Sequence, residues 1–169
     1  MINSLTSTST SNEREILCIH EITDHVIDLF KYDKTENITF LKDYDPSIPE
    51  IILDKNQIIQ SLINVVKNAI QAIVGSGTIT LKTRTMLKYT IGDIKYDLVV
   101  KIDCIDDGIG IPEEKINEIF FPMVTTKNEG MGLGLTIAQS LITQNKGLIE
   151  CQSKQGKTVF SLILPWSQD

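Results

Sequence analysis

Apolar positions change their spacing along the chain, and the changes mark where helices give way to strands. Ile16, Ile19, Ile22, Val26 and Leu29 or Phe30 recur at helical intervals, which predicts a helix over residues 13–31. A polar break at 33–37 follows. Two short extended pieces, 38–41 and 51–53, then flank the turn-rich run Asp43-Tyr44-Asp45-Pro46-Ser47-Ile48-Pro49. The strongest helical pattern covers 54–74. Asp54 is a good N-cap, Gln57 three residues later resembles a capping box, and Gly75-Ser76-Gly77 ends the helix. Alternation predicts strands at 78–83 and 96–106, with 86–95 between them as a hairpin turning near Gly92-Asp93. After Pro112, residues 113–119 read as a short helix, 120–132 as a loop, and 133–144 as a helix stopped by Asn145 and Gly147. Closing strands at 148–152 and 158–164 are joined by a turn at Gln155-Gly156-Lys157. The expected fold class is α+β, one mostly antiparallel sheet with helices on one face.

Composition narrows the class without naming a chemistry. A chain of 169 residues with 41% apolar content can bury one sizeable core. The net charge of −6 argues against a nucleic-acid binder, which would show a basic face. No apolar run reaches the length of a membrane span. Residues 1–12 are rich in Ser and Thr, do not read as a signal peptide, and are expected to form a disordered tail. Cys18, Cys104 and Cys151 are far apart, with no CxxC, and read as free thiols in a reducing cytoplasm.

The helix at 54–74 is apolar around most of its circumference. Ile58, Leu62, Val65, Val66, Ala69 and Ile73 make one stripe, widened by Ile59, Ile63 and Ile70. The polar stripe is narrow: Gln57, Gln60, Ser61, Asn64, Lys67, Asn68 and Gln71. A surface helix shows the reverse proportions, so this helix should lie between layers with its polar stripe lining a site. Asn64 and Asn68 are one turn apart on one face. An amide oxygen suits Mg²⁺ already charge-balanced by phosphates, and Lys67 could add a point charge for phosphate. By itself the stripe could equally be a solvated helix edge.

Two glycine-rich segments follow. Val100, Ile102, Cys104 and Asp106 share one strand face, so an inward-pointing face ends in a carboxylate, and Asp107-Gly108-Ile109-Gly110 comes next. Such a carboxylate could accept a hydrogen bond from the exocyclic amine of adenine while the glycines let a flat ligand approach the backbone. Alone, the segment is also an ordinary Asp-Gly turn. Gly130-Met131-Gly132-Leu133-Gly134-Leu135 runs directly into a helix, whose free N–H groups suit phosphate. It follows a Thr/Lys loop rather than a strand and lacks Gly-Lys-Ser/Thr, so it is neither a dinucleotide fingerprint nor a P-loop. The loop before it is long enough to act as a lid, with Lys127 placed to reach phosphates.

In order and spacing these elements resemble the ATP-binding domain of sensor histidine kinases, within the gyrase, Hsp90, histidine kinase and MutL (GHKL) superfamily. The N box resembles Asn64-Val65-Val66-Lys67-Asn68-Ala69, and the first G box Asp106-Asp107-Gly108-Ile109-Gly110. The F box resembles Ile119-Phe120-Phe121-Pro122, and the second G box spans 130–135. The resemblance implies a two-layer α/β sandwich of the Bergerat type that binds ATP and Mg²⁺. Asn68, and with it Asn64, would hold Mg²⁺ between phosphates. Lys67 and Lys127 would assist at the phosphates. Asp106 would read adenine in a pocket shaped by Gly108 and Gly110, and Thr158 would support the base through water. Gly130, Gly132, Gly134 and Leu135 would contact nucleotide, with the amides around Gly132 and Gly134 on phosphate. Phe120 would anchor the lid.

A narrower resemblance, to nitrogen-regulation sensor kinases, lies in residues 43–50, in Phe121-Pro122-Met123-Val124 and in the closing segment 162–165. It implies an NtrC-like response regulator and a PII-type signal protein as partners, with no nucleic acid and no membrane. Two departures matter. Met131 stands where the family often has Thr or Ser, and no carboxylate stands at Asn64, where hydrolysing relatives carry a Glu. The second favours transfer to a protein histidine over hydrolysis. His20-Glu21-Ile22 is not expected to be the phospho-acceptor, because Thr23-Asp24-His25 follows without the family's proline kink. The expected organisation is therefore a linking helix over 13–32, the end of the acceptor-helix region, and an ATP-binding catalytic domain over 33–169, with the dimerisation and acceptor helices absent. A serine protein kinase of the anti-sigma-factor type and a non-catalytic nucleotide-binding remnant are the alternatives.

Overall fold

The computed structural model describes residues 13–33, 35–121 and 134–167. Seven strands and four helices alternate along them: β1 (Arg14–Leu17), α1 (Ile19–Lys31), β2 (Ile38–Tyr44), β3 (Ile51–Asp54), α2 (Lys55–Ala72), β4 (Gly77–Ile91), β5 (Ile94–Asp106), α3 (Glu113–Ile116), α4 (Gly134–Gln144), β6 (Leu148–Lys154) and β7 (Lys157–Pro165). Five strands form one mixed sheet in the order β2-β4-β5-β7-β6. The β2–β4 pair is parallel and the other three pairs are antiparallel. β1 and β3 make a separate antiparallel ribbon.

One sheet face carries the core. Rows of directly opposed residues run across it: Thr83, Ile102, Leu162 and Ile149, then Leu81, Cys104, Phe160 and Cys151. Side chains of opposed residues point to the same side, so each row is continuous. Ile22, Val26, Ile27 and Phe30 of α1, the apolar stripe of α2, and Ala138 and Ile142 of α4 join these rows in a single cluster. The helices thus lie on one face of the sheet, as the alternating strands predict.

The helix predicted over 13–31 begins only at Ile19; residues 14–17 are a strand instead. Ile16, the first position of the predicted helical repeat, is 66% exposed, opposite Ile52 in the ribbon. A four-residue strand held by a partner many residues away carries no local signal. The segment expected to serve as a linker is, from Leu17 onward, packed into the same core as the remainder.

α2 begins where expected, with the Asp54 side chain accepting the Gln57 N–H at 3.1 Å. The reciprocal half of a capping box is replaced. The Asp54 N–H donates to Asn145 Oδ1 at 3.1 Å, and Gln57 Oε1 accepts from Asn145 Nδ2 at 2.7 Å. Asn145, read in the sequence as a helix stop, therefore ties the end of α4 to the start of α2.

Candidate functional site

A further row of opposed residues stands at the end of the apolar sheet face: Ile79, Asp106, Thr158 and Ser153, from β4, β5, β7 and β6. Two residues on from the last apolar row, it turns the floor of the core polar on β5, β7 and β6, while β4 keeps the apolar Ile79. Asp106 and Thr158 are both buried. The Thr158 and Ser153 hydroxyls are 2.6 Å apart, and Ser153 Oγ also accepts the Ile111 N–H at 2.8 Å. Asp106 accepts the Gly108 N–H at 2.9 Å.

The first glycine loop is clamped between two elements. Ile109 N–H donates to the Ala72 carbonyl at 3.0 Å, satisfying one of the open carbonyls at the end of α2. Gly156 N–H, from the β6–β7 turn, donates to the Gly108 carbonyl at 3.1 Å. Glycine is required at both of its positions. A Cβ on Gly108 would stand 2.5 Å from the Ala72 carbonyl oxygen. Gly110 has φ +81°, and a Cβ there would stand 2.6 Å from the Lys154 carbonyl oxygen. Asp107 holds the neighbouring strand: its Oδ1 accepts the Thr78 N–H at 2.8 Å. The loop is thus bound both to the asparagine helix and to the strands bearing Thr158 and Ser153.

On α2, Ser61, Leu62, Val65, Val66 and Ala69 are buried. Asn64 and Asn68 are half-buried, one turn apart, and Lys67 is exposed. Asn64 Nδ2 is inaccessible to solvent and, among the described residues, has no hydrogen-bond partner. An unmet buried donor costs about 1–3 kcal/mol, so its retention asks for an acceptor. The first turn of α4 lies beside it: a Cβ on Gly134 would be 4.0 Å from Asn64 Cβ and Cγ. An unmatched N–H donor and the positive end of an 11-residue helix therefore stand together, a donor set that suits an anionic oxygen. Leu135 packs half-buried against the core.

Phe120 meets Phe160 edge to face, with ring centroids 6.4 Å apart, and its carbonyl accepts the Thr136 hydroxyl at 2.9 Å. Both contacts fix the chain just before the segment expected to act as a lid. Lys127, Gly130 and Gly132 lie outside the described residues.

Burial, together with the negative charge of Asp106, raises the Cys104 thiol above its usual range. The same two causes push Cys151 up to about 12. Both thiols stay neutral and serve as apolar floor beside the carboxylate. Ser153 went unnoticed in the sequence; its place two residues beyond Cys151 on an alternating strand was the available signal.

His20 is occupied within the domain. Its ring stacks on Tyr44 with centroids 4.6 Å apart, and Nε2 is 2.9 Å from Thr83 Oγ1. Burial and the hydrogen bond to Asp24 raise the Tyr44 hydroxyl. Among the described residues no group of three His, Cys, Asp or Glu could hold a metal, and no helix is long and apolar enough to cross a membrane.

Comparison with known proteins gives the arrangement a family. Residues 53–168 match the model of the histidine kinase-, DNA gyrase B- and HSP90-like ATPases. The sensory histidine kinase/phosphatase NtrB of Klebsiella oxytoca is 44% identical over 148 residues, covering 87% of this chain and 42% of the relative. The NtrB of Rhizobium leguminosarum is 33% identical over 157 residues, covering 89% of this chain and 41% of the relative. The chain thus spans less than half the length of these curated relatives. Among solved structures, the catalytic domain of histidine kinase ThkA superposes with a TM-score of 0.78 at 30% identity, covering 91% of this chain and 96% of that one. ThkA has also been solved in complex with a response regulator, TrrA. The polar row at the sheet's end, the clamped glycine loop and the asparagine helix thus sit in a chain that belongs to the histidine kinase-, DNA gyrase B- and HSP90-like ATPase family, as an NtrB-like, ATP-binding catalytic domain of the histidine kinase type.

Proposed function

We propose that this domain binds ATP with Mg²⁺ and donates the γ-phosphate to a histidine on a separate helical dimerisation domain, as the catalytic half of a nitrogen-regulation kinase. The observation that carries the reading is the buried Asn64 Nδ2, without an acceptor among the described residues, beside the start of α4. A phosphate oxygen would satisfy that donor.

The remaining roles are those the family likeness implies, and the placement of the described residues supports them. Asp106 accepts the exocyclic amine of adenine, with Gly108 and Gly110 leaving room for the base and Thr158 supporting it through water. The amides at the start of α4, with Gly130, Gly132 and Gly134, hold phosphate oxygens. Lys67 and Lys127 add positive charge, and Phe120 anchors the loop that covers the site. Asn68 and Asn64 provide neutral amide oxygens for Mg²⁺, which suits an ion whose charge the phosphates already balance. Bound there, Mg²⁺ would offset phosphate charge. Phosphoryl transfer depends mainly on positioning and charge stabilisation, so this chain's part is to hold the γ-phosphate in line. The acceptor imidazole is its own nucleophile, and an amide at position 64 offers no base to activate water.

By the NtrB likeness, an NtrC-like response regulator receives the phosphate, a PII-type protein regulates the exchange, and the reaction is cytoplasmic. The test is to mix the chain with an acceptor-helix fragment and γ-labelled ATP. Acid-labile label on the fragment's histidine is expected. Nucleotide binding without such label counts against transfer, and acid-stable label would point to a serine kinase.

A further inference from the structure

We infer that Ser153 is a positioning residue for nucleobase selection, acting through Thr158. The inference rests on the reading that Asp106 faces adenine.

Thr158 stands between Asp106 and Ser153 in the row that ends the sheet's core face. Its hydroxyl can offer the site a hydrogen or only lone pairs, and its partners decide which. The 2.6 Å contact with Ser153 requires one hydroxyl to donate to the other. Ser153 Oγ already accepts the Ile111 N–H at 2.8 Å. A second lone pair remains on Ser153, but accepting that N–H polarises its hydroxyl and makes it the better donor, which favours donation of its hydrogen to Thr158. That leaves the Thr158 hydrogen free to turn toward the side of the carboxylate. The negative charge of Asp106 favours this orientation, because the reverse one would aim oxygen lone pairs at a carboxylate. Next to one another the site then presents an acceptor, Asp106, and a donor, Thr158.

That pair matches adenine and mismatches guanine. Adenine offers an amine donor at position 6 and an acceptor at N1; guanine offers a carbonyl oxygen at position 6 and an N1–H. Ser153 therefore fixes the polarity of the second contact without touching the base. It also ties the first glycine loop to β6 through Ile111, so one hydroxyl sets both the donor's direction and the loop's position.

The test uses the whole chain, with ATP and GTP affinities measured by calorimetry in Mg²⁺ and thermal unfolding followed without nucleotide. Ser153→Ala is expected to lose about tenfold in ATP affinity, the size of one misdirected hydrogen bond, with GTP affinity unchanged or raised. Ser153→Thr keeps the hydroxyl and is expected to retain the parental preference. Should Ser153→Ala not fold, Ser153→Thr and Thr158→Val still decide: the first must keep the preference and the second must lose it. Equal losses for both nucleotides in Ser153→Ala would mean a merely structural role and overturn the inference. So would parental ATP preference in Ser153→Ala, provided Asp106→Asn loses it. If Asp106→Asn also keeps that preference, the adenine reading itself fails and the inference falls with it.

Discussion

Asn145, at the end of α4, accepts the backbone N–H of Asp54, the residue that caps α2, at 3.1 Å. Through this bond the helix that begins at the candidate phosphate end is tied to the helix bearing Asn64 and Asn68. The same side chain donates to Gln57 Oε1 at 2.7 Å and to the Leu141 carbonyl at 2.9 Å. Asn145→Ala would leave the buried Asp54 N–H without this acceptor and take one donor each from Gln57 Oε1 and the Leu141 carbonyl, which keeps the Asn145 backbone N–H. It is expected to lower unfolding free energy by about 1–3 kcal/mol, measured by urea denaturation without nucleotide. A loss below a few tenths would mean the helices are not joined here.

Asn64 should separate stability from binding. Among the described residues its buried Nδ2 has no partner, so Asn64→Leu, with the same branching and number of side-chain heavy atoms, removes an unmet donor. Unfolding free energy is expected to stay the same or rise by about 1 kcal/mol, while ATP affinity falls. A variant that is strongly destabilised yet binds ATP normally would show that the residue serves packing.

The glycines should divide by what surrounds them. Gly108→Ala places a methyl 2.5 Å from the Ala72 carbonyl oxygen, and neither partner is a flexible side-chain end. A cost of about 1–3 kcal/mol is expected, along with weakened nucleotide binding as the loop shifts. Among the described residues Gly134→Ala meets nothing closer than 4.0 Å at the start of α4. It should gain up to about 1 kcal/mol from helix propensity. Paired thermal melts read both effects, and equal behaviour would contradict the clamped loop.

The raised thiols give a pH prediction. Cys151 is pushed from 9.0 up to about 12 by burial and the charge of Asp106. At pH 8 its thiolate fraction should be about one part in ten thousand, so alkylation should be slow until the chain unfolds. The unfolded chain releases the proton near pH 9 and the folded chain keeps it. Stability contributed by the neutral thiol is therefore whole below that pH and falls as pH rises from 9 toward 12. Rapid labelling of Cys104 or Cys151 in the native state, followed by mass spectrometry, would contradict this.

Much of the site was legible because local patterns encode it. Alternation in β5 placed Asp106 at the end of an inward face, and the narrow polar stripe of α2 placed Asn64 beside Asn68. Features that depend on distant pairing stayed hidden. β1 exists only through its ladder with β3, and its exposed Ile16 imitated a helical repeat. Gln57 has the spacing of a capping box, yet Asn145 takes the reciprocal bond from across the fold. Ser153 gains significance only once β6 pairs with β7 and brings its hydroxyl to Thr158.

The most direct measurement is calorimetric titration of the chain with ATP, with and without Mg²⁺, beside Asp106→Asn and Asn68→Asp. The parent is expected to bind, more tightly with Mg²⁺. Asp106→Asn should lose affinity because its amide can present a donor to adenine's amine, and Asn68→Asp because it adds charge at the metal and phosphate end. Parental affinity and Mg²⁺ dependence in both variants would contradict the assignment of this site.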